Sequence, residues 1–377
     1  MTDTLPAVVG GGTATEREIS RQPAVWREAA RLLETERTGL ARFLDPLLAR
    51  PGLRIVLTGA GTSAFVGEVA APHLTARLRR RIDAIATTDL VADPRELLAE
   101  DVPTLLVSFA RSGDSPESTA ATDVADAVLS EVHHLVITCD PAGALHRAHQ
   151  DRPGSFCLVL PERANDEAFA MTSSFTTMLL AALVALGGDA ADVEPLAAAA
   201  ERILGDRSPF EAFAARDPQR VVYLGSGSFT GVARESALKL LETTAGRVIA
   251  LHDSSLGFRH GPKAVLDDRT FAVVYCSSDP YTRRYDLDIL KELRAAIGDD
   301  AVVAVSAGPL GEPGPAVELG LEQVADAFAA LPAVVVAQLF ALHTSQRLGV
   351  TTDNPFPDGT VNRVVQGVTI HPLPPAS

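Results

Sequence analysis

Cysteine is scarce in this chain. Three residues, Cys139, Cys157 and Cys276, are spread over 377 positions with no CxxC pair. An odd, scattered set implies neither a disulfide framework nor a zinc-binding pattern, and it fits a reducing, cytoplasmic setting. Basic charge is also short: 33 Lys and Arg stand against 48 Asp and Glu, a formal net charge of −15. That argues against a nucleic-acid or anionic-membrane partner, which needs a basic footprint. Long apolar runs are missing as well. The most apolar stretches, 178–186 and 331–342, fall short of the roughly 20 residues that span a bilayer and read as buried core helices. The opening MTDTLPAVVGGGTATE has no basic start and no apolar core, so no signal peptide is expected. Lysine occurs only at 239, 263 and 291, against 30 arginines, so each retained lysine draws notice.

What is present is ordinary for a folded protein: 46% apolar and 21% charged residues, in a length that suggests two domains. The chain also repeats itself. RIVLTGAGTSAFVGE (54–68) matches RVVYLGSGSFTGVAR (220–234), with Gly59 and Gly61 corresponding to Gly225 and Gly227 at an offset of 166. Apolar strands alternate with helical patterns in both halves, the signature of parallel sheets covered on two faces. Strands are expected at 54–57, 104–108, 134–138 and 156–160, then at 221–224, 271–276 and 302–306. Helices are expected near 63–79, 115–129 and 172–186, then near 230–244, 282–297 and 331–347. A leading helix is expected over 15–36, with Pro23 an interruption. The stretch 205–216 reads as a linker, and the tail after 353 as irregular, with 364–370 extended. The expected architecture is α/β: two tandem three-layer α/β/α subdomains with flavodoxin- or Rossmann-like parallel sheets. The expected bounds are a helical segment 1–44, a first subdomain 45–204, and a second subdomain 205–377 that includes the tail.

Candidate chemistry clusters at strand-to-helix turns. Gly59-Ala60-Gly61-Thr62-Ser63 lacks the third glycine of a dinucleotide fingerprint and the Lys-Ser/Thr of a P-loop. SFARSGDSPES (108–118) adds a second hydroxyl-rich turn. In doubly wound sheets ligands bind beyond the carboxyl ends of strands. Ser63, Ser112 and Ser115 can reach one phosphate there, with Arg111 to neutralise it. The competing reading is two capped helices and nothing more. Met171-Thr172-Ser173-Ser174 opens a third helix with hydroxyls.

In the second half, Glu235, Lys239 and Glu242 share one helix face, with Leu238, Leu241 and Ala245 on another that reads as core. A solvated charged stripe is the common fate of such residues. The next stretch, LHDSSLGFRHGPK (251–263), reads as a Gly-rich loop that brings His252, Asp253, His260 and Lys263 nearby. A carboxylate, a lysine and a histidine beside a phosphate pocket suffice for aldose–ketose proton transfer. The pairs His146/His149 and His133/His134 match no metal-ligand spacing, so no metal is expected.

GAGTS, SFARSGDSPES, ESALKLLE (235–242) and FRHGPK (258–263) resemble the double sugar-isomerase (SIS) domain proteins, including the isomerase half of glucosamine-fructose-6-phosphate synthase. TEREISRQPAVW, FAMTSSFTTM and DNPFPDGTVNRVVQGVTI resemble more closely the AgaS-type tagatose-6-phosphate isomerases and galactosamine-6-phosphate deaminases. The resemblance spans nearly the whole chain. It implies phosphate binding by Ser63, Ser112 and Ser115, with Thr62, Thr172 and Ser173 nearby. It implies that Glu242 moves a proton between sugar carbons 1 and 2, that Lys239 polarises the site, and that His260 opens the ring. In the synthase that histidine comes from a neighbouring subunit, which implies a homodimer at least. No cofactor is implied. The chain departs from the synthase at Ala110 and Arg111, and at Gln366, where a Schiff-base lysine is missing. Neither a glutamine-hydrolysing domain nor a helix-turn-helix extension is expected from this sequence. The expected activity is deamination or isomerisation of an amino-sugar 6-phosphate, galactosamine 6-phosphate first. Plain isomerisation, deglycation and sugar-phosphate sensing remain as alternatives.

Overall fold

The computed structural model describes residues 12–188 and 192–374. The amino-terminal residues 1–11, which carry much of the signal-peptide reading, lie outside the described residues. The first half runs α1 (Ala14–Leu48), β1 (Arg54–Thr58), α2 (Thr62–Leu78), β2 (Ile82–Ala84), α3 (Thr87–Ala92), α4 (Pro94–Leu97), β3 (Thr104–Ala110), α5 (Pro116–Val128), β4 (Val132–Thr138), α6 (Ala144–His149), β5 (Ser155–Val159) and α7 (Ser173–Gly187). The second runs α8 (Glu194–Gly205), α9 (Ser208–Ala215), β6 (Arg220–Gly225), α10 (Ser228–Thr243), β7 (Ile249–Asp253), β8 (Thr270–Cys276), α11 (Pro280–Ile297), β9 (Val302–Ser306), β10 (Ala316–Glu318) and α12 (Asp326–Arg347).

The two five-stranded sheets are wholly parallel and share one strand order. The first reads β2-β1-β3-β4-β5 and the second, taken from its other end, β7-β6-β8-β9-β10. Both are the doubly wound order whose chain reverses direction between its first and third strands. The duplication read from two glycine turns therefore extends to whole-sheet topology. The turns match in detail. Gly61 and Gly227 adopt φ of +54° and +57°. A Cβ on Gly59 or Gly225 would lie 2.6 Å from backbone atoms of the helix that follows, Ser63 and Phe229 respectively. Only glycine lets the strand end approach its helix that closely.

Alternate strand residues feed two cores. Ile55 and Leu57 face a central core shared by both halves, which Val221 and Tyr223 enter from the second sheet. Val56 faces an outer core with Leu106 and Ala121, and Val222 and Leu224 face another with Ile289 and Leu293 of α11. Helices α1, α2, α7, α10 and α12 thus lie between the sheets. Helix α12 is long and apolar enough to cross a membrane, but 89% of its apolar window is buried inside the fold. Both apolar stretches read as core helices, in α7 and α12, are just that.

Several local expectations need correction. The leading helix runs to Leu48 rather than Glu36 and continues through Pro23. Proline at 23 removes the hydrogen bond to the carbonyl of Ile19. The Gln22 side chain supplies a substitute donor to that carbonyl at 3.0 Å. The supposed linker 205–216 contains α9, with Pro209 in its first turn and Phe210 and Ala214 buried. Residues 364–370 form no strand. The loop 251–263 begins with the second half of β7 and contains two 3-10 turns, Gly257–His260 and Pro262–Val265.

Candidate active site

The β1–α2 and β3–α5 turns meet at the switch point of the first sheet. They enclose a cavity of about 100 Å³ lined by Ser63, Arg111, Ser112 and Ser115 and walled by Arg363 and Val364 of the tail. The capping alternative does not hold here. Neither α2 nor α5 has a side-chain cap at its first residue. Ser63 makes no side-chain hydrogen bond among the described residues, Ser112 Oγ only accepts from Asp114 N at 3.3 Å, and Ser115 Oγ pairs with Ser118 Oγ at 2.6 Å. Two uncapped helix starts and two hydroxyls with protons to give face one small cavity, an arrangement that suits an anion.

Arg111 is buried, and its guanidinium already spans the carbonyls of Phe169 (3.1 Å), Ala168 (3.4 Å) and Arg363 (2.7 Å). Burial, reinforced by Arg363, pulls it down to about 10. It therefore ties the tail to the pocket as well as supplying charge. Thr172 and Ser173 are placed differently from expectation. Thr172 Oγ1 donates to Asp166 at 3.1 Å, and Ser173 Oγ donates to the carbonyl of Glu18 at 2.8 Å. Asp166, wholly buried, also accepts from the backbone N–H groups of Thr172, Ser173 and Ser174. A carboxylate already fills the start of α7, so these two hydroxyls are not free phosphate donors. The tight pairing of Asp166 with residues six to eight positions later was not legible in the sequence.

The charged face of α10 is inside the protein, not solvated. Glu235 is 0% and Lys239 1% exposed. Glu242 is half-buried. The face expected as core is the looser one: Leu238, Leu241 and Ala245 are half-buried, while Ala237 and Leu240 are buried. Lys239 Nζ stands 2.5 Å from Glu242 Oε2, 3.5 Å from Glu235 Oε1 and 3.0 Å from Thr62 Oγ1. Burial pulls the ammonium down, but the two carboxyls outweigh it and hold Lys239 above its ordinary value. Glu235 is pushed up to about 8, chiefly by burial and against the pull of Lys239. Hydrogen bonding from Thr62 and from Lys239, whose Nζ is 3.5 Å away, pulls it the other way without offsetting the burial. Glu235 is thus a second buried acid in the cluster, which sequence reading noticed without giving it a role.

Thr62 joins the two parts of the site. It opens α2 beside Ser63 and accepts from the lysine of α10. The two helices cross closely: a Cβ on Gly231 would lie 2.8 Å from Val69 N. Glu68 and Arg234, equivalent positions of the two repeats, form an ion pair across this crossing. His260 is not brought to this cluster. It is exposed on the turn after β7, and no hydrogen bond or ion pair among the described residues links it to Lys239 or Glu242. Among the described residues no three His, Cys, Asp or Glu side chains converge as metal ligands. His134 and His149 instead bond Asp126 and Ser155, at 3.0 Å each.

Two parallel sheets in one strand order, with a hydroxyl-lined cavity at the first switch point, define the class as that of the sugar-isomerase (SIS) domain proteins, and residues 47–186 match the SIS domain family model. A Streptomyces coelicolor homologue is 60% identical over 378 residues, covering 98% of both chains. The D-galactosamine-6-phosphate deaminase AgaS of Escherichia coli is 45% identical over 97% of this chain and 98% of its own. A crystal structure of tagatose-6-phosphate ketose/aldose isomerase from Escherichia coli superposes with a TM-score of 0.89 at 42% identity, covering 98% and 99% of the two chains. The chain belongs to the AgaS family of SIS-domain proteins.

Proposed function

We propose that this protein is an amino-sugar-phosphate deaminase that converts galactosamine 6-phosphate to a ketose 6-phosphate and ammonia. The observation that carries the reading is the Lys239–Thr62 contact, which sets a buried acid–base cluster directly against the anion cradle. Ser63, Ser112 and Ser115 hold the phosphate, with the starts of α2 and α5 adding donors. Glu242 takes the proton from carbon 2 of the open-chain sugar and returns it to carbon 1. Lys239 stabilises the negative charge that develops between them. The amino-aldose becomes a ketose imine, and water hydrolyses it to the ketone with release of ammonia. No cofactor enters this chemistry. His260 assists ring opening, and its exposed position fits delivery into the site of a second copy, so the working unit is at least a homodimer acting in the cytoplasm.

The name carried by the solved Escherichia coli relative favours a second reading, aldose–ketose isomerisation without loss of nitrogen. Ammonia release from galactosamine 6-phosphate and glucosamine 6-phosphate separates the two. Deamination that falls at least ~100-fold in Glu242→Gln, with substrate still bound, supports the base assignment. Turnover near wild type in that variant would sink it. No ammonia from either sugar, together with interconversion of aldose and ketose phosphates, would favour the isomerase.

A further inference from the structure

The second sheet has a switch point of its own, and it is already filled. The turn after β6 carries Ser226 and the turn after β8 carries Ser277, the counterparts of the two cradle turns in the first half. Between them lies the side chain of Asp286, from α11, 0% exposed. It accepts from Ser226 Oγ at 2.6 Å, from Ser277 N at 3.0 Å and from Ser255 Oγ at 2.5 Å. Asp326 takes the Ser277 hydroxyl and the Ser278 N–H. The donors that the first half leaves free for an anion are satisfied internally in the second. Helices α5 and α11 both open on proline, Pro116 and Pro280, and six residues further stand Thr122 and Asp286. Thr122 turns back to the carbonyl of Thr119. The carboxyl is therefore a feature of the second repeat alone.

Of its three donors, Ser255 is the informative one. It lies in neither switch-point turn but at the head of the segment that carries His260. The same helix grips that segment again further on, where Glu292 binds Arg259 Nε at 2.7 Å and also Lys263. Phe258 is buried against the outer core of this half. His260 stands between the anchored residues Arg259 and Lys263, and it alone of the three is exposed without a partner among the described residues. We propose that Asp286 is a positioning residue: it occupies the second switch point as an internal stand-in for the bound anion and, through Ser255, fixes the 254–263 segment so that His260 is presented in one geometry.

This inference rests on the ring-opening role given to His260 above. The test is a double-mutant cycle in the full-length enzyme. It compares kcat and KM for deamination in wild type, Asp286→Asn, His260→Ala and the pair, with thermal midpoints recorded. Asparagine keeps the volume but offers one acceptor oxygen instead of two. Asp286→Asn is expected to lower kcat about tenfold with KM changed less than about twofold, and to cost less than about twofold once His260 is absent, because a residue acting only through His260 has nothing left to lose. Ser255→Ala cuts only the link to the loop and should lower kcat in the same His260-dependent way, which keeps the test open if Asp286→Asn folds poorly. Equal losses in both backgrounds, or no loss of kcat from either variant, would overturn the proposal while leaving His260 in place. Wild-type turnover by His260→Ala would instead remove the histidine from the mechanism, and this inference with it.

Discussion

Lys239 Nζ lies 3.0 Å from Thr62 Oγ1, a bond across 177 positions that joins the second repeat to the first glycine turn of the first. Either half alone lacks something: the first has the cradle without the acid–base cluster, the second the reverse. The close crossing of α2 and α10 places them together. Helix α10 itself explains why a lysine can be buried here. Two carboxyls from its own helix lie one turn to either side, at 3.5 and 2.5 Å. Such a group withstands burial only when paired this closely.

Glu235 makes stability depend on pH in a stated direction. Burial raises it from an ordinary 4.5 to about 8. An acid raised by folding binds its proton more tightly in the native than in the unfolded state. The stability it lends is complete below its unfolded value and drains away as pH climbs from about 4.5 through 8. Wild type should therefore lose thermal stability across that window faster than Glu235→Gln, which cannot titrate. Melting curves of both proteins between pH 5 and 9 should converge at the acid end and separate toward the basic end, with the variant on top. Parallel curves would show that Glu235 does not hold a proton there.

The two hydroxyl clusters should fail in different ways. Ser63 and Ser112 have protons free to give an anion, and a hydrogen bond to a charged group contributes about 1.5–3 kcal/mol. Ser63→Ala and Ser112→Ala should each weaken binding of inorganic phosphate about tenfold or more in calorimetry, with little change in melting temperature. Thr172→Val should do the opposite. It strips a donor from the buried Asp166, which costs about 1–3 kcal/mol of stability, and leaves phosphate affinity within about twofold. A large affinity loss in Thr172→Val would return that residue to the binding site.

This contrast marks where sequence reading succeeds and where it stops. The Gly-x-Gly turns are legible because the steric demand at Gly59 and Gly225 is local, and so are the buried central strands, whose apolar runs leave few alternatives. The strands missed, Ile82–Ala84, Ile249–Asp253 and Ala316–Glu318, are short or lie at sheet edges, where half-exposed residues blur the pattern. Thr172 and Ser173 read like the other hydroxyl turns until the chain folds Asp166 back over the start of α7. The charged face of α10 is ambiguous for a related reason. Spacing puts Glu235, Lys239 and Glu242 on one side but does not say whether water or Thr62 lies opposite.

The crossing of the two repeats offers the last test. An added Cβ at Gly231 would sit 2.7 Å from Val69 Cγ2, 2.8 Å from Val69 N and 3.1 Å from the Glu68 carbonyl carbon. Two of those three atoms are backbone, so relief requires α2 and α10 to move apart. Overpacking of this kind costs about 1–3 kcal/mol. Separating the helices also lengthens the Lys239–Thr62 bond, so Gly231→Ala should lose turnover even at temperatures where it remains fully folded. Gly187 is the control. It lies at the end of α7, and its added Cβ would meet only Leu74 Cδ2, at an ordinary 3.9 Å. There alanine should be neutral or stabilising by about 0.5–1 kcal/mol, because a helical glycine gives up more backbone entropy on folding. Far-UV circular dichroism melts and deamination rates on both variants separate the outcomes. If Gly231→Ala behaves like Gly187→Ala, the close approach of the repeats is not what holds the site together.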